Sequence, residues 1–301
     1  MKILITGANG LLGQKLVHLL SSRAEVIATS KGDRQFSMVP GVIYQSMDIT
    51  KEEQVQSVFD IYQPEAVIHT AAMTQVDQCE LNREICWQVN VNGTRLVAEA
   101  ALRSGAYLIH LSTDFIFDGE AGPYDEEATP APVNYYGESK LAAERIIQEL
   151  SSDWVIIRTI LVYGWLPKMA RSNIVLWVME NLEQHKTIRV VDDHKRTPTL
   201  VEDLAKACSL VLDKKVSGIF NISGGEFLTP FQMAIQTARF FQLDETLIQK
   251  TDSIEFVQPA KRPMATGFII TKAQNILGYE PHTFSEGLAI LAQQIDANKE
   301  A

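Results

Sequence analysis

Gly7, Gly10 and Gly13 stand in the run GANGLLG, directly after the apolar stretch 2–6 and at the head of a segment with helical spacing that continues through Leu20. Three glycines at this point permit a tight turn from strand to helix and a close backbone approach to a ligand. The helix end beyond them presents unpaired N–H groups and the positive end of a dipole. Such a turn is suited to an anion, and its place between a strand and a helix points to the pyrophosphate of a dinucleotide.

The rest of the chain supplies the fold this turn needs. Apolar, β-branched runs at residues 2–6, 25–29, 42–45, 66–70, 107–112, 154–158 and 218–222 alternate with helical spacing, clearest over 89–104, 136–150 and 200–212, and Gly105 is placed to stop the first of these. Runs that are apolar throughout, joined by crossover helices, specify a parallel sheet buried on both faces. The spacing therefore predicts an α/β protein. A Rossmann-type doubly wound parallel sheet is expected from 1–162 and 196–223. A smaller mixed C-terminal substrate lobe is expected from 163–195 and 224–301, where Pro, Gly, aromatic and charged residues break the alternation.

Composition narrows the function. A formal net charge of −10 argues against nucleic acid as a partner, because affinity for a phosphate backbone requires clustered Lys and Arg. The apolar run after Lys2 is too short for a signal-peptide core or a membrane span, which predicts a cytoplasmic protein with no membrane partner. Cys79, Cys86 and Cys208 show no CxxC spacing and are expected as reduced thiols. Cys79 and Cys86, seven apart, are expected to share one face of a single helix as packing.

The end of the second strand should face the adenosine ribose, where an acid would bind the 2′-hydroxyl and repel a 2′-phosphate. The chain instead reads Thr29, Ser30, Lys31, Gly32, Asp33, Arg34. The hydroxyl of Ser30 and the cations of Lys31 and Arg34 suit a phosphate, so NADP(H) is preferred, while Asp33 leaves NAD(H) open. Asp48 and Ile49, after the third strand, are placed to meet the adenine amino group and ring, although Asp48 equally suits an N-cap.

Tyr136 and Lys140 lie four apart on an expected helix and so share a face. A free phenol titrates near 10 and needs a neighbouring cation to pass a proton efficiently at neutral pH. Ser112, Thr113 and Asp114 end the fifth strand, at the carboxyl edge where open α/β sheets bind ligands. Asn173 and Arg196 flank the entrance of the second lobe and are candidate substrate contacts, although either suits a local cap or staple.

Glycine turn, strand-end Ser/Thr and Tyr-x-x-x-Lys, in this order, resemble the extended short-chain dehydrogenase/reductase superfamily. Ala71-Ala72, the helix that begins at Asn90, and Arg158 with Val162-Tyr163-Gly164 resemble it too. Within it, STDFIFDG (112–119), TPAPVNYYGESK (129–140), RTPTLVEDLA (196–205), Arg262-Pro263 and Leu277-Gly278 are similar to the dTDP-4-dehydrorhamnose reductase family. The resemblance implies hydride delivery to the C4 ketone of a nucleotide-linked deoxysugar. Thr113 would orient the carbonyl, with Ser112 the competing hydroxyl; Tyr136 would donate the proton and Lys140 would hold the nicotinamide ribose. It also implies cofactor contacts at Asn9, Leu11, Leu12, Ala71, Ala72, Asn90, Tyr136 and Lys140, substrate contacts at Thr74, Val76, Asp114 and Phe115, and a homodimer. Met73 and Trp165-Leu166-Pro167 depart from that family's pattern, which leaves the nucleotide sugar open. An epimerase that retains its cofactor would use the same residues; a non-catalytic regulatory subunit similar to the beta subunit of methionine adenosyltransferase would share the fold and much of the pattern, and the intact Thr113, Tyr136 and Lys140 argue against it.

Other features have plainer readings. His69 and His110 sit in apolar strands and are expected to be packed core histidines outside the mechanism. Asp125-Glu126-Glu127 and Asp192-Asp193-His194 are expected as solvated loops with no metal. Trp177 and Phe240-Phe241 are expected in the core.

Overall fold

The computed structural model describes residues 1–150, 153–169 and 172–299. Its strands, in chain order, are β1 (Lys2–Thr6), β2 (Glu25–Ser30), β3 (Val42–Ser46), β4 (Ala66–His69), β5 (Tyr107–Thr113), β6 (Trp154–Thr159), β7 (Val162–Tyr163), β8 (Ile188–Val191), β9 (Thr199–Leu200), β10 (Gly218–Ile222) and β11 (Ile248–Thr251). The helices are α1 (Leu11–Leu20), α2 (Glu52–Tyr62), α3 (Val76–Leu81), α4 (Arg83–Trp87), α5 (Thr94–Ser104), α6 (Tyr135–Leu150), α7 (Ile174–Glu183), α8 (Val201–Lys214), α9 (Pro230–Phe240), α10 (Thr271–Leu277) and α11 (Phe284–Lys299).

Seven strands form one parallel sheet in the order β10-β6-β5-β4-β1-β2-β3. Successive side chains of a strand point to opposite faces, and here both faces are apolar. Ile3 and Ile5 pack with Leu16, Val17 and Leu20 of α1 and with Leu204 and Val211 of α8. Leu4, Val67, Leu108 and Ile156 pack on the other face against Val55 and Phe59 of α2, Val97 and Ala101 of α5, and Ile147 of α6. The chain winds outward from β1 in both directions, so the crevice at the carboxyl ends of β1 and β4 is the switch point where such sheets take ligands.

Smaller apolar clusters join α7, α9 and α11 to the two-stranded parallel pair β8 and β11. α9 begins with a reciprocal capping box between Thr229 and Gln232, and Pro230 occupies its first turn. The loop after β11 returns to the main sheet through Arg262, which grips both carboxylate oxygens of Asp77 on α3. The run Asp192-Asp193-His194 is not a solvated loop, because Asp192 binds Thr229 and Lys250, and Asp193 accepts from Ser253.

Two helices differ from expectation. The stretch 89–104 is not one α-helix; it opens as a π-helical segment, Gln88–Gly93, and only then becomes α5, which ends on left-handed Gly105. Cys79 and Cys86 lie on separate short helices, because Asn82 between them leaves the helical region at φ −127°, ψ 56°. Both thiols are nevertheless buried together against Tyr136.

Candidate active site

A cleft of about 1540 Å³ opens at the switch point. That exceeds the volume usual for one small ligand. Its floor begins at the glycine turn, where Gly7 has φ +69° and a Cβ there would fall 2.7 Å from the Ala71 backbone nitrogen. Gly10, Leu11, Leu12 and Gly13 line the cleft beside it. Among the described residues no side chain caps the N-terminus of α1, and its first turn carries no acid. Its leading N–H groups therefore remain available to an anion. Asn9 ties down the neighbouring loop by donating to the Asp33 carbonyl at 2.9 Å and accepting from the Gln35 N–H at 3.0 Å.

Ser30, Lys31, Asp48 and Ile49 line the same end, whereas Arg34 does not; its side chain turns back to the Phe36 carbonyl and ring. Lys31 is 81% exposed and pairs with Asp48 at 2.9 Å. Burial works to raise the Asp48 carboxyl, but Lys31 and the Thr50 N–H and hydroxyl outweigh it and hold it at about 2. Asp48 thus closes the turn before α2, whose N-cap position falls to Lys51, with no side-chain cap among the described residues.

Thr113, Tyr136 and Lys140 are brought together on the cleft wall with Ser112, Asp114 and Phe115. Thr113 ends β5; its hydroxyl accepts from the Phe115 N–H at 3.2 Å and donates to Asp114 Oδ1 at 3.1 Å. Burial pushes the Asp114 carboxyl up to about 6 despite Arg196, Thr266 and Thr113. Ser112 Oγ is buried without a hydrogen-bond partner among the described residues. α6 is started by Asn134, whose Oδ1 accepts from the Gly137 N–H at 2.9 Å. One turn on, Lys140 is 2% exposed, and burial lowers its ammonium to about 8 against the opposing pull of Glu144, Cys86 and Cys79.

Gly137 was not singled out by sequence reasoning, yet it sets how closely α6 approaches this wall. A Cβ at Gly137 would lie 2.0 Å from the Phe115 carbonyl oxygen. Gly137→Ala should therefore push Tyr136 and Lys140 away from Thr113. Steady-state turnover is expected to fall about 100-fold, the scale of a 1 Å misplacement, and chemical denaturation should register a loss of about 1–3 kcal/mol from overpacking. Unchanged turnover would show that this contact does not set the distance.

Ala71, Ala72, Thr74 and Val76 line the cleft. Asn90 does not; it is fully buried and clamps the Met73 backbone through both N–H and C=O while donating to Ser139. Asn173 lines the cleft, but its side chain caps α7 and holds the Gly164 carbonyl. Arg196 is buried outside it, stapling the Lys195, Pro263 and Met264 carbonyls.

The structure adds residues that the sequence left aside. Trp177 is 37% exposed and lines the cleft instead of entering the core, and Phe240 is exposed as well. Trp177 stands one helical turn beyond Asn173, a spacing that could have revealed it. His110, expected outside the mechanism, has its Nε2 3.1 Å from Lys140 Nζ.

The profile of the RmlD substrate binding domain family matches residues 1–297. The chain is 30% identical over 306 residues to the dTDP-4-dehydrorhamnose reductase of Aggregatibacter actinomycetemcomitans, across 95% of this chain and 97% of that protein. It is 31% identical over 268 residues to methionine adenosyltransferase 2 subunit beta of Pongo abelii, across 87% of this chain and 78% of the relative. The solved structure of dTDP-4-dehydrorhamnose reductase from Bacillus anthracis, in complex with NADP, superposes with a TM-score of 0.86 at 29% identity, across 97% of this chain and 99% of that one. A family match that runs almost from end to end, over a cleft that gathers the glycine turn, Tyr136 and Lys140, places this chain in the RmlD substrate binding domain family, as an NAD(P)-dependent oxidoreductase of the extended short-chain dehydrogenase/reductase superfamily.

Proposed function

We propose that the protein reduces the C4 ketone of a nucleotide-linked 6-deoxyhexose with NADPH. The observation that carries this reading is the single cleft in which an uncapped helix N-terminus and the side chains of Thr113, Tyr136 and Lys140 meet. The uncapped, acid-free start of α1 fits a pyrophosphate, with Ala71 and Ala72 alongside. When bound, the reduced nicotinamide supplies the hydride. Tyr136 donates its phenolic proton to the oxygen that gains charge, and Lys140 favours the phenolate left behind. Thr113 turns its hydroxyl from Asp114 to the ketone oxygen, in competition with the unpartnered Ser112. Thr74, Val76, Asp114 and Phe115 contact the sugar. Residues 1–162 and 196–223 form the cofactor lobe and 163–195 with 224–301 the substrate lobe, and two copies pair through α5 and α6 in the cytoplasm.

The test is a panel of nucleotide-linked 4-keto sugars followed by NADPH absorbance. An epimerase with retained cofactor would interconvert sugars without net oxidation. The 31% identity to the methionine adenosyltransferase subunit favours a second reading, a regulatory subunit; NADPH binding with no turnover, together with a stable hetero-complex, would establish it.

Preference for NADPH rests on Lys31, whose ammonium already engages one anion, the Asp48 carboxylate. Lys31→Ala should weaken NADPH binding about tenfold, the equivalent of one exposed charge-assisted contact, and leave NADH binding unchanged in a fluorescence titration. An equal loss for both cofactors would remove Lys31 from the discrimination.

A further inference from the structure

An ammonium has three N–H donors and no acceptor. Lys140 sends one to the Leu111 carbonyl at 2.7 Å, and a second faces His110 Nε2 at 3.1 Å. We propose that His110 is a positioning residue: a neutral imidazole carrying its proton on Nδ1, whose Nε2 accepts from Lys140 and so leaves one ammonium N–H for the cleft.

The tautomer follows from counting protons. His110 is fully buried, and burial together with the Lys140 charge and His69 drives its basicity well below the ordinary range, so it stays neutral. While Lys140 is an ammonium it only donates; Nε2 must accept, and the ring proton resides on Nδ1, which has no partner among the described residues.

The neighbouring His69 is the contrast. Its ring lies 5.3 Å from that of His110, and both its nitrogens are bonded, Nδ1 to Thr6 at 2.7 Å and Nε2 to Thr94 at 3.1 Å. The Thr94 hydroxyl spends its proton on the Asn90 carbonyl, so His69 donates from Nε2 and accepts at Nδ1. His69 is a satisfied core residue, whereas His110 is left with an unpartnered buried N–H in order to face Lys140. Such an orphan is costly in a buried site, and the ammonium contact is what holds the ring in that orientation.

The titratable groups acting on the pair are Glu144 of α6, Cys79 of α3, Cys86 of α4 and His69 of β4. Glu144 is itself committed to Arg158 at 2.8 Å. Removing His110 therefore takes away an acceptor that favours the charged amine. The sign is fixed: without the acceptor, Lys140 loses its proton at lower pH than its present value of about 8.

Two measurements on the intact protein test the assignment. Nitrogen-15 NMR of the histidine rings at pH 6.5 should show His110 protonated at Nδ1 and bare at Nε2; a proton on Nε2, or an ordinary titration, overturns the proposal. In turnover assays, which rest on the reductase reading above, His110→Leu should lower kcat about 10- to 100-fold, the scale of one hydrogen bond to a charged group. KM should stay near wild type, and the alkaline limb of the kcat profile should move about one unit toward acid. His110→Gln, whose amide oxygen can accept, should restore the limb. A limb that stays in place in both variants assigns His110 to packing alone. If His110→Leu does not fold, the NMR measurement alone decides. The NMR measurement needs no sugar, so absence of turnover in the wild type would count against the substrate and leave the tautomer test standing.

Discussion

Tyr136→Phe should bind NADPH as tightly as the wild type and turn over a 4-keto sugar about 10²–10⁴ times more slowly, the range that a positioned general acid contributes. The substitution removes one oxygen and keeps the ring, which packs edge-on against Phe115 at 5.9 Å between centroids. The backbone is untouched: Ser139 still donates to the Tyr136 carbonyl at 2.7 Å, and Gly137 still seats the helix. The loss should therefore lie in kcat, because proton donation is realised only as charge builds on the ketone oxygen. Stopped-flow hydride transfer, read from NADPH absorbance under single turnover, isolates that step from product release. A variant with wild-type single-turnover rates would remove Tyr136 from the chemistry and leave the cleft as a ligand site.

The second large effect concerns stability. Glu144→Ala should cost about 3–5 kcal/mol in urea denaturation, because it abandons a buried guanidinium. Glu144 and Arg158 are 1% and 3% exposed and meet through two hydrogen bonds of 3.1 and 2.8 Å. Arg158 also reaches the Glu126 carbonyl and lies over the Phe117 ring, so it cannot swing to solvent when its partner is lost. Glu144 stands one turn beyond Lys140 and opposes the loss of that ammonium. Whatever fraction of Glu144→Ala remains folded should therefore show its alkaline limb displaced toward acid. A loss below about 1 kcal/mol, typical of an exposed pair, would mean that water reaches the pair.

The elements that carried the argument from sequence were those whose physics is local. The glycine turn is read from three residues between a strand and a helix, and Tyr136 with Lys140 from helical spacing. Both occupy the cleft. What escaped depends on register and on distant chain segments. His110 faces Lys140 because α6 packs on β5, and the register of β5 beside β4 sets His69 next to it. The matching runs AVIH and YLIH, each ending on histidine, were the available signal. For Arg196 the sequence leaves substrate contact and local staple equally open, and the structure decides for the staple, because residues 263 and 264 fold back over it and take its donors. Arg34 was lost to its own loop in the same way. Polar side chains near a ligand site are assigned by whichever unpaired carbonyl lies closest, and local sequence does not disclose that.

The edge strand β10 arrives late in synthesis, because the chain leaves the sheet after β6 and builds β7, α7, β8, β9 and α8 before returning at residue 218. A nascent polypeptide interrupted in that interval displays the outer hydrogen-bonding edge of β6 bare, beside apolar side chains that α8 and α10 would otherwise shield. Exposed edges of that kind pair with other chains. Products truncated between β6 and β10 should therefore be captured by chaperones or aggregate, and none should survive as a freestanding nucleotide-binding fragment.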